Sequence, residues 1–182
     1  MFSTKENLKI EIHFIRTKMN LEFIIDFKLL NYNLRYSVVE NEFYVLKNGV
    51  WKLKKFTNNN GYLQSGFCFE KYKLTHIKKH RLVFFAYNPD FDIFRRSRTE
   101  NMIDHIDRNP LNNRIENLRL VTHQENHFNT NAKGFSFHKQ RKKWQAEIRT
   151  SKIRKYLGYF ETEQEAREAY LNAKKIHHII KS

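Results

Sequence analysis

The sequence predicts an α+β protein built from small modules, and three local patterns support this prediction. Asn-Gly pairs at positions 48–49 and 60–61 separate strand-like runs, which is typical of β-hairpins. The apolar run at 80–87 predicts a short buried helix. Near the C-terminus, alternation at 142–149 is followed by a helix-start signal at 162–165. We therefore expect a mixed or β-rich N-terminal region, followed by small sheets that pack against helices.

Composition limits the class of partner. The chain has 182 residues and a formal net charge of +15, which favours a polyanionic partner. Nucleic acid is the first candidate and a membrane surface is the second. No membrane-spanning segment is expected, because the chain lacks a run of about 18 apolar residues. The N-terminus lacks the pattern of a secretory signal, so we expect an intracellular protein of the cytoplasm or nucleus, not a secreted one.

The single cysteine, Cys68, restricts the kinds of covalent and metal chemistry. One cysteine excludes an internal disulfide framework and a four-cysteine zinc site, since both need paired thiolates. Any catalytic metal must therefore be held by oxygen or nitrogen ligands.

An Asp-His pair at 104–105 has side chains suited to phosphodiester chemistry. Cleavage of a phosphodiester needs a base for the attacking water and a cation that neutralises charge on the phosphate and leaving oxygen. His105 can be the base, because imidazole titrates near neutral pH. Asp104 offers a hard carboxylate oxygen suited to Mg²⁺ or Mn²⁺. We expect the strand that carries both residues to end here, in the asparagine-rich loop at 109–113.

The segment Asp104-His-Ile-Asp-x-Asn-x-x-Asn-Asn-Arg-x-x-Asn-Leu-Arg resembles the HNH endonuclease motif, in the variant of phage and intron homing endonucleases. The resemblance implies a ββα-metal finger at about 98–131, formed by a hairpin, an extended loop and a helix. By matching position, Asp104 would be a metal ligand, His105 the general base, Asn117 the central asparagine and Asn126 the second metal ligand.

The second metal ligand has alternatives, and Asn117 and His80 are expected to be structural. The last position is asparagine rather than histidine, and His123 or His127 could serve as ligand in place of Asn126. Asn117 is expected to fix the loop to the hairpin through its side-chain amide, so that its loss should impair catalysis. His80 lies in a stretch that resembles the segment preceding the motif in these endonucleases. It is expected to be structural rather than catalytic.

The C-terminal part carries a second resemblance. Basic residues crowd after Gly134, and a strand is predicted at 154–160 beside the strand at 142–149. Trp144-Gln-Ala-Glu-Ile-Arg149 and Tyr156-Leu-Gly-Tyr-Phe160 resemble the AP2 DNA-binding domain. The resemblance implies a three-stranded antiparallel sheet with one packed helix, whose sheet lies in the major groove of DNA. The matching positions that would face DNA are Lys143, Glu147, Arg149, Arg154 and Tyr156.

These observations predict three parts: residues 1–35 of unknown role, a nuclease domain at 36–131 and a DNA-binding domain at 132–182. We expect a metal-dependent endonuclease that uses Mg²⁺ or Mn²⁺ on double-stranded DNA. One active site favours nicking, and the absence of a heptad pattern favours a monomer or weak dimer. A homing-like role follows from the resemblance alone. The alternatives are a non-catalytic AP2-type regulator and an RNA-binding protein.

Overall fold

The computed structural model confirms the α+β class, because small antiparallel sheets alternate with helices along the chain. The chain divides into two compact units, the first comprising residues 1–96 and 105–119 and the second comprising 97–104 and 120–182. None of the helices in the described part of the chain is long and apolar enough to cross a membrane. The described residues are 10–16, 21–69, 73–95, 102–150 and 153–180.

A five-stranded antiparallel sheet forms the start of the first unit, with its strands paired in chain order. Phe27, Leu34 and Phe43 are buried on neighbouring strands, and the rings of Phe27 and Phe43 pack edge to face with centroids 6.2 Å apart. The predicted turn at Asn48-Gly49 is confirmed, since φ is positive at both residues, as this type of hairpin requires. The strands are β1 (Ile10–Arg16), β2 (Leu21–Leu29), β3 (Tyr32–Ser37), β4 (Glu42–Lys47) and β5 (Val50–Leu53).

The predicted domain boundary at residue 35 falls inside β3. The three-part division of the chain stays a prediction. The start of the finger, predicted at about residue 98, lies outside the described residues.

A second sheet and a helix complete the upstream part of the first unit. Strands β6 (Thr57–Asn59), β7 (Tyr62–Phe69) and β8 (Lys73–Lys78) pair antiparallel in chain order. The predicted Asn60-Gly61 turn joins β6 to β7. Helix α1 (Lys79–Tyr87) follows β8 directly and confirms the predicted helix, with the side chains of Leu82, Val83, Phe85 and Ala86 buried.

A two-stranded sheet then carries the Asp-His pair. Strand β9 (Met102–His105) pairs with β10 (Leu118–Val121). The chain between them forms the predicted loop and a short 3-10 helix at Ile115–Asn117. Helix α2 (His123–Phe128) starts at a capping box, in which the Thr122 side chain accepts a hydrogen bond from the Glu125 backbone and the Glu125 carboxylate accepts one from the Thr122 backbone.

The C-terminal part of the second unit has the predicted three strands and packed helix. Strands β11 (Phe135–His138), β12 (Lys143–Arg149) and β13 (Arg154–Phe160) form an antiparallel sheet. Helix α3 (Glu163–His177) packs on this sheet and begins at the predicted capping box of Thr162 and Glu165. The core between helix and sheet contains Ile148, Tyr170 and Ala173, with Leu157 packed against them.

Gly134 allows the chain to pass close to this helix. Its φ is +68°, and a Cβ built on it would lie 2.0 Å from Cδ2 of Tyr170. Its carbonyl accepts a hydrogen bond of 2.9 Å from the backbone of Glu147 on β12. Any larger residue at position 134 would therefore collide with the core of the C-terminal sheet.

Candidate active site

His105 is the last residue of β9 and is held by an asparagine of the following loop. Its side chain is buried, with 6% of the residue exposed, and its Nε2 lies 3.1 Å from Oδ1 of Asn113. The strand ends here because the backbone turns at once: the amide of Arg108 donates to the carbonyl of His105 at 2.9 Å. The predicted strand end at the Asp-His pair is confirmed.

The orientation of Asn113 determines the tautomer of His105. Nδ2 of Asn113 donates to the carbonyl oxygen of Leu111 at 3.0 Å, and a carbonyl can only accept, so Oδ1 is the atom that faces His105. An amide oxygen also only accepts. Nε2 of neutral His105 therefore carries the hydrogen, and Nδ1 carries the lone pair that a general base needs.

Asn117 makes the contacts that were expected of a residue that fixes the loop. Its Oδ1 accepts from the backbone amide of Asp107 at 3.0 Å. Its Nδ2 donates to Oδ1 of Asp107 at 2.9 Å and to the carbonyl of Asn112 at 2.8 Å. The carbonyl of Asn117 in turn accepts from the backbone amide of Ile106 at 2.9 Å. One side chain thus ties the end of the loop to its beginning.

Asp107 is the acceptor around which this loop is arranged. Its carboxylate accepts from Nδ2 of Asn112 and from the backbone amide of Asn109, both at 2.7 Å. These hydrogen bonds, first that from Asn112 and then that from Asn109, lower the pKa of Asp107. The second aspartate of the Asp-His-Ile-Asp sequence therefore organises the loop through its negative charge.

Asp104 is paired with an asparagine that the sequence did not single out. The carboxylate is buried, with 6% of the residue exposed. Nδ2 of Asn129 lies 3.0 Å from each of its two oxygens. Asn129 is the residue that ends α2, and its backbone amide bonds to the carbonyls of Glu125 and Asn126. Asn129 lies three positions after the predicted ligand Asn126, and residues three apart lie on one face of a helix. This spacing could have identified Asn129 as a second residue facing the site.

The predicted ligand Asn126 and its two alternatives all lie on α2. Asn126 is half-buried, whereas His123 and His127 are exposed. The rings of the two histidines pack edge to face, with centroids 4.4 Å apart. The choice of second ligand stays a prediction.

Asp104 offers one carboxylate, which is the kind of ligand that a hard divalent cation prefers. The described ranges contain no group of three or more His, Cys, Asp or Glu side chains that could hold a metal. Mg²⁺ suits such a place, because it is commonly bound by one or two carboxylates together with water and substrate phosphate oxygens. The Asn129 amide that donates to both oxygens is neutral, and each carboxylate oxygen has two lone pairs, so this contact does not prevent a cation from binding the buried Asp104 carboxylate.

The five predicted DNA-facing residues differ in their surroundings. Nζ of Lys143 lies 2.6 Å from Oε1 of Glu161. Arg154 binds Glu147 through two hydrogen bonds, of 2.7 and 2.5 Å. Arg149 is exposed and forms no ion pair within the described residues, and Tyr156 is 50% exposed. Lys143 and Arg154 are thus each paired with a carboxylate, whereas Arg149 has no such partner in the part of the chain that the structure describes.

Arg149 shares a groove with α2. The groove has a volume of about 970 Å³ and lies within the second unit. Arg149 and Thr150 line one part of it, and His123, His127 and Phe128 line another. A positively charged side chain and the helix that carries the predicted second metal ligand therefore border the same space.

Comparison with known proteins bears on one part of the chain. Residues 99–128 match a family model described as HNH endonuclease. This short match supports an HNH nuclease domain and, at a coarse level, cleavage of DNA. It includes Asp104, His105, Asn117 and Asn126, and it ends before β11, so it gives no support to the AP2 resemblance. No curated protein and no solved structure matches the chain.

Proposed function

We propose that this protein is a divalent-metal-dependent endonuclease that hydrolyses phosphodiester bonds of double-stranded DNA. The observation that carries the proposal is the hydrogen bond between Nε2 of His105 and Oδ1 of Asn113, from which we assign the hydrogen to Nε2. An imidazole with its lone pair on Nδ1, next in sequence to a buried carboxylate, has the chemistry that phosphodiester hydrolysis requires.

In the proposed reaction His105 is the general base. Nδ1 takes a proton from a water molecule while the water oxygen attacks phosphorus, and the bond from phosphorus to the leaving oxygen breaks. The imidazolium that forms keeps its Nε2–H bond to Asn113, and this charge-assisted hydrogen bond becomes stronger as the proton arrives. Asn113 is thus a positioning residue that selects the reactive nitrogen.

The metal side of the proposed site depends on Asp104. Asp104, with Asn126 as the second ligand, would hold Mg²⁺ or Mn²⁺. When bound, the cation would supply positive charge beside the phosphate and the leaving oxygen. Asn117 keeps the intervening loop in place, and Asn129 keeps the Asp104 carboxylate oriented through its amide.

The C-terminal sheet is proposed to hold the duplex. The AP2 resemblance suggests that the outer face of β12 and β13 enters the major groove, where Arg149 and Tyr156 are accessible. One base and one carboxylate favour a nick in one strand, and a homing-like site preference is part of the same proposal.

A plasmid assay tests the proposal. Wild-type protein, His105→Ala and the control His76→Ala, at an exposed histidine of β8, are incubated with supercoiled plasmid and a random-sequence duplex pool, with Mg²⁺, Mn²⁺ or EDTA. The wild type and the control are expected to nick only with metal, whereas His105→Ala should bind DNA without cutting it. If wild type and His105→Ala bind equally and neither cuts with either metal, a DNA-binding regulator replaces the nuclease.

A further inference from the structure

The proposed base His105 belongs to a cluster of three rings within the first unit, in which His80 and His105 are buried and Tyr62 is half-buried. The rings of His80 and His105 are perpendicular, at 90°, with centroids 5.0 Å apart. The Tyr62 ring lies 5.6 Å from His80 and 6.2 Å from His105, measured between centroids. His80 is 6% exposed. His105 is therefore packed against a second imidazole that the proposed reaction does not use.

His80 is supported by rigid structure. It is the second residue of α1, directly after β8, and Leu82 and Val83 of the same helix are fully buried. Nζ of Lys78 lies 3.7 Å from the centroid of Tyr62, so a cation packs on the third ring of the cluster. A ring held in this way cannot turn aside without disturbing the helix.

His80 is unsuited to the role of base itself. Burial first, and then the nearby charges of His105, Lys78 and Arg81, together lower the pKa of His80 to about 3. An efficient general base has a pKa near the working pH. His80 therefore stays neutral near pH 7, and it leaves the uptake of the proton to its neighbour.

We propose that His80 is a positioning residue for His105, and this inference rests on the proposed nuclease function. The bond to Asn113 engages Nε2 of the imidazole, and a hydrogen bond to one ring atom does not by itself fix the plane of the ring. The perpendicular ring of His80 supplies the second constraint. Together the two contacts fix both the tautomer and the direction in which Nδ1 points, before DNA arrives.

Three variants separate positioning from general stability. His80→Ala removes the ring, and His80→Phe keeps an aromatic ring without nitrogens. Val83→Ala is the matched control, because it opens a cavity on the same helix at a fully buried residue. Each variant is compared with wild type in thermal unfolding, in the dissociation constant for duplex DNA without metal, and in the single-turnover cleavage rate with Mn²⁺.

If His80 positions the His105 ring, the cleavage rates of the variants should differ in a specific way. His80→Ala should slow single-turnover cleavage roughly 10- to 100-fold with an unchanged dissociation constant. His80→Phe should restore most of the rate, and Val83→Ala should cleave like wild type despite a comparable loss of thermal stability. The proposal is overturned if His80→Ala cleaves at the wild-type rate, if Val83→Ala slows equally, or if His80→Phe is as slow as His80→Ala.

A spectroscopic readout keeps this inference separate from the nuclease proposal. Long-range ¹H–¹⁵N correlation spectra of histidine-labelled protein report the tautomer of His105, with His105→Ala used to assign the signal. Wild type should show hydrogen on Nε2, and His80→Ala should keep this tautomer but show exchange broadening, because the ring can then turn about its bond to Asn113. An unchanged spectrum in His80→Ala contradicts positioning even if the protein cuts DNA. If no variant cuts but the spectrum changes as expected, the nuclease proposal fails and the ring contact stands.

Discussion

The side-chain amide of Asn129 donates to both carboxylate oxygens of Asp104, at 3.0 Å each. The two residues are 25 positions apart, at the start of the motif and just after α2. Because the carboxylate is buried, this donor offsets part of the cost of removing its charge from water. The end of α2 and the proposed metal ligand are therefore energetically linked.

This link predicts how an Asn129→Ala variant responds to metal. Its free energy of unfolding should fall by about 1–3 kcal/mol, since a buried carboxylate loses a donor. Mn²⁺ should restore more stability to the variant than it adds to wild type, because the cation replaces the lost donor. Urea unfolding with and without Mn²⁺ measures both effects. Asn172→Ala, an exposed residue of α3, is the control, and equal responses of the two variants would contradict the link.

Asn117→Asp should reduce DNA cleavage at least as much as Asn117→Ala, because both changes disturb the loop after β9. The aspartate keeps an acceptor for the Asp107 backbone but loses both donor contacts, and it places a second negative charge beside the Asp107 carboxylate. We expect cleavage to fall by roughly 100-fold or more in both variants, as misplacement of catalytic groups does. Single-turnover nicking rates on supercoiled plasmid check this. Asn58→Ala, which disturbs only a surface turn, should cleave normally.

His80 should make the protein sensitive to acid. Its pKa is lowered from 6.5 to about 3 in the folded state, so the unfolded chain binds more protons in that interval. Stability from this residue is complete above pH 6.5 and is lost as the pH falls towards 3. The melting temperature of wild type should therefore decrease more steeply between pH 7 and pH 4 than that of His80→Phe. Parallel curves for the two proteins would show that His80 does not titrate in this way.

The close approach of Gly134 to Tyr170 predicts a large difference between two glycine substitutions. Gly49→Ala has open space around its new Cβ, and only the positive φ should cost stability, about 1–2 kcal/mol. Gly134 has a similar φ, but a Cβ there also collides with Tyr170. Gly134→Ala should therefore destabilise the sheet and helix at the C-terminus considerably more. Thermal unfolding of both variants tests this. Similar melting temperatures would mean that Tyr170 moves aside at little cost.

Arg149 should contribute more to DNA affinity than Lys143. Lys143 is compensated by Glu161, whereas Arg149 borders the groove with no ion pair within the described residues. In a His105→Ala background, Arg149→Gln should reduce the slope of the logarithm of the binding constant against the logarithm of salt concentration. The reduction should be about that of one lost phosphate contact. Lys143→Gln should change it less. Fluorescence anisotropy at several salt concentrations measures the slopes, and equal slopes for both variants would remove Arg149 from the interface.

Local chemistry made part of this structure predictable. The turns at Asn48-Gly49 and Asn60-Gly61 and the helix start at Thr162 depend on neighbouring residues alone, and each lies where it was expected. Strand β2 could not be predicted from the sequence. Ile24 and Ile25 are both buried, and consecutive apolar residues hide the alternation that identifies a strand. The roles of Asn113 and Asn129 depend on which of many asparagines the fold brings to His105 and Asp104.

The side-chain bonds of the loop after β9 also bear on how the chain folds. The hydrogen bonds of Asn113 and Asn117 join residues ten or fewer positions apart. Closing such short segments costs little chain entropy, so this loop can form rapidly and early. Because these hydrogen bonds lie within the loop itself, the loop should keep its structure when it is placed in another protein. Evolution or an engineer can move it between chains, provided that the recipient supplies a ring in the place of His80 and a donor in the place of Asn129.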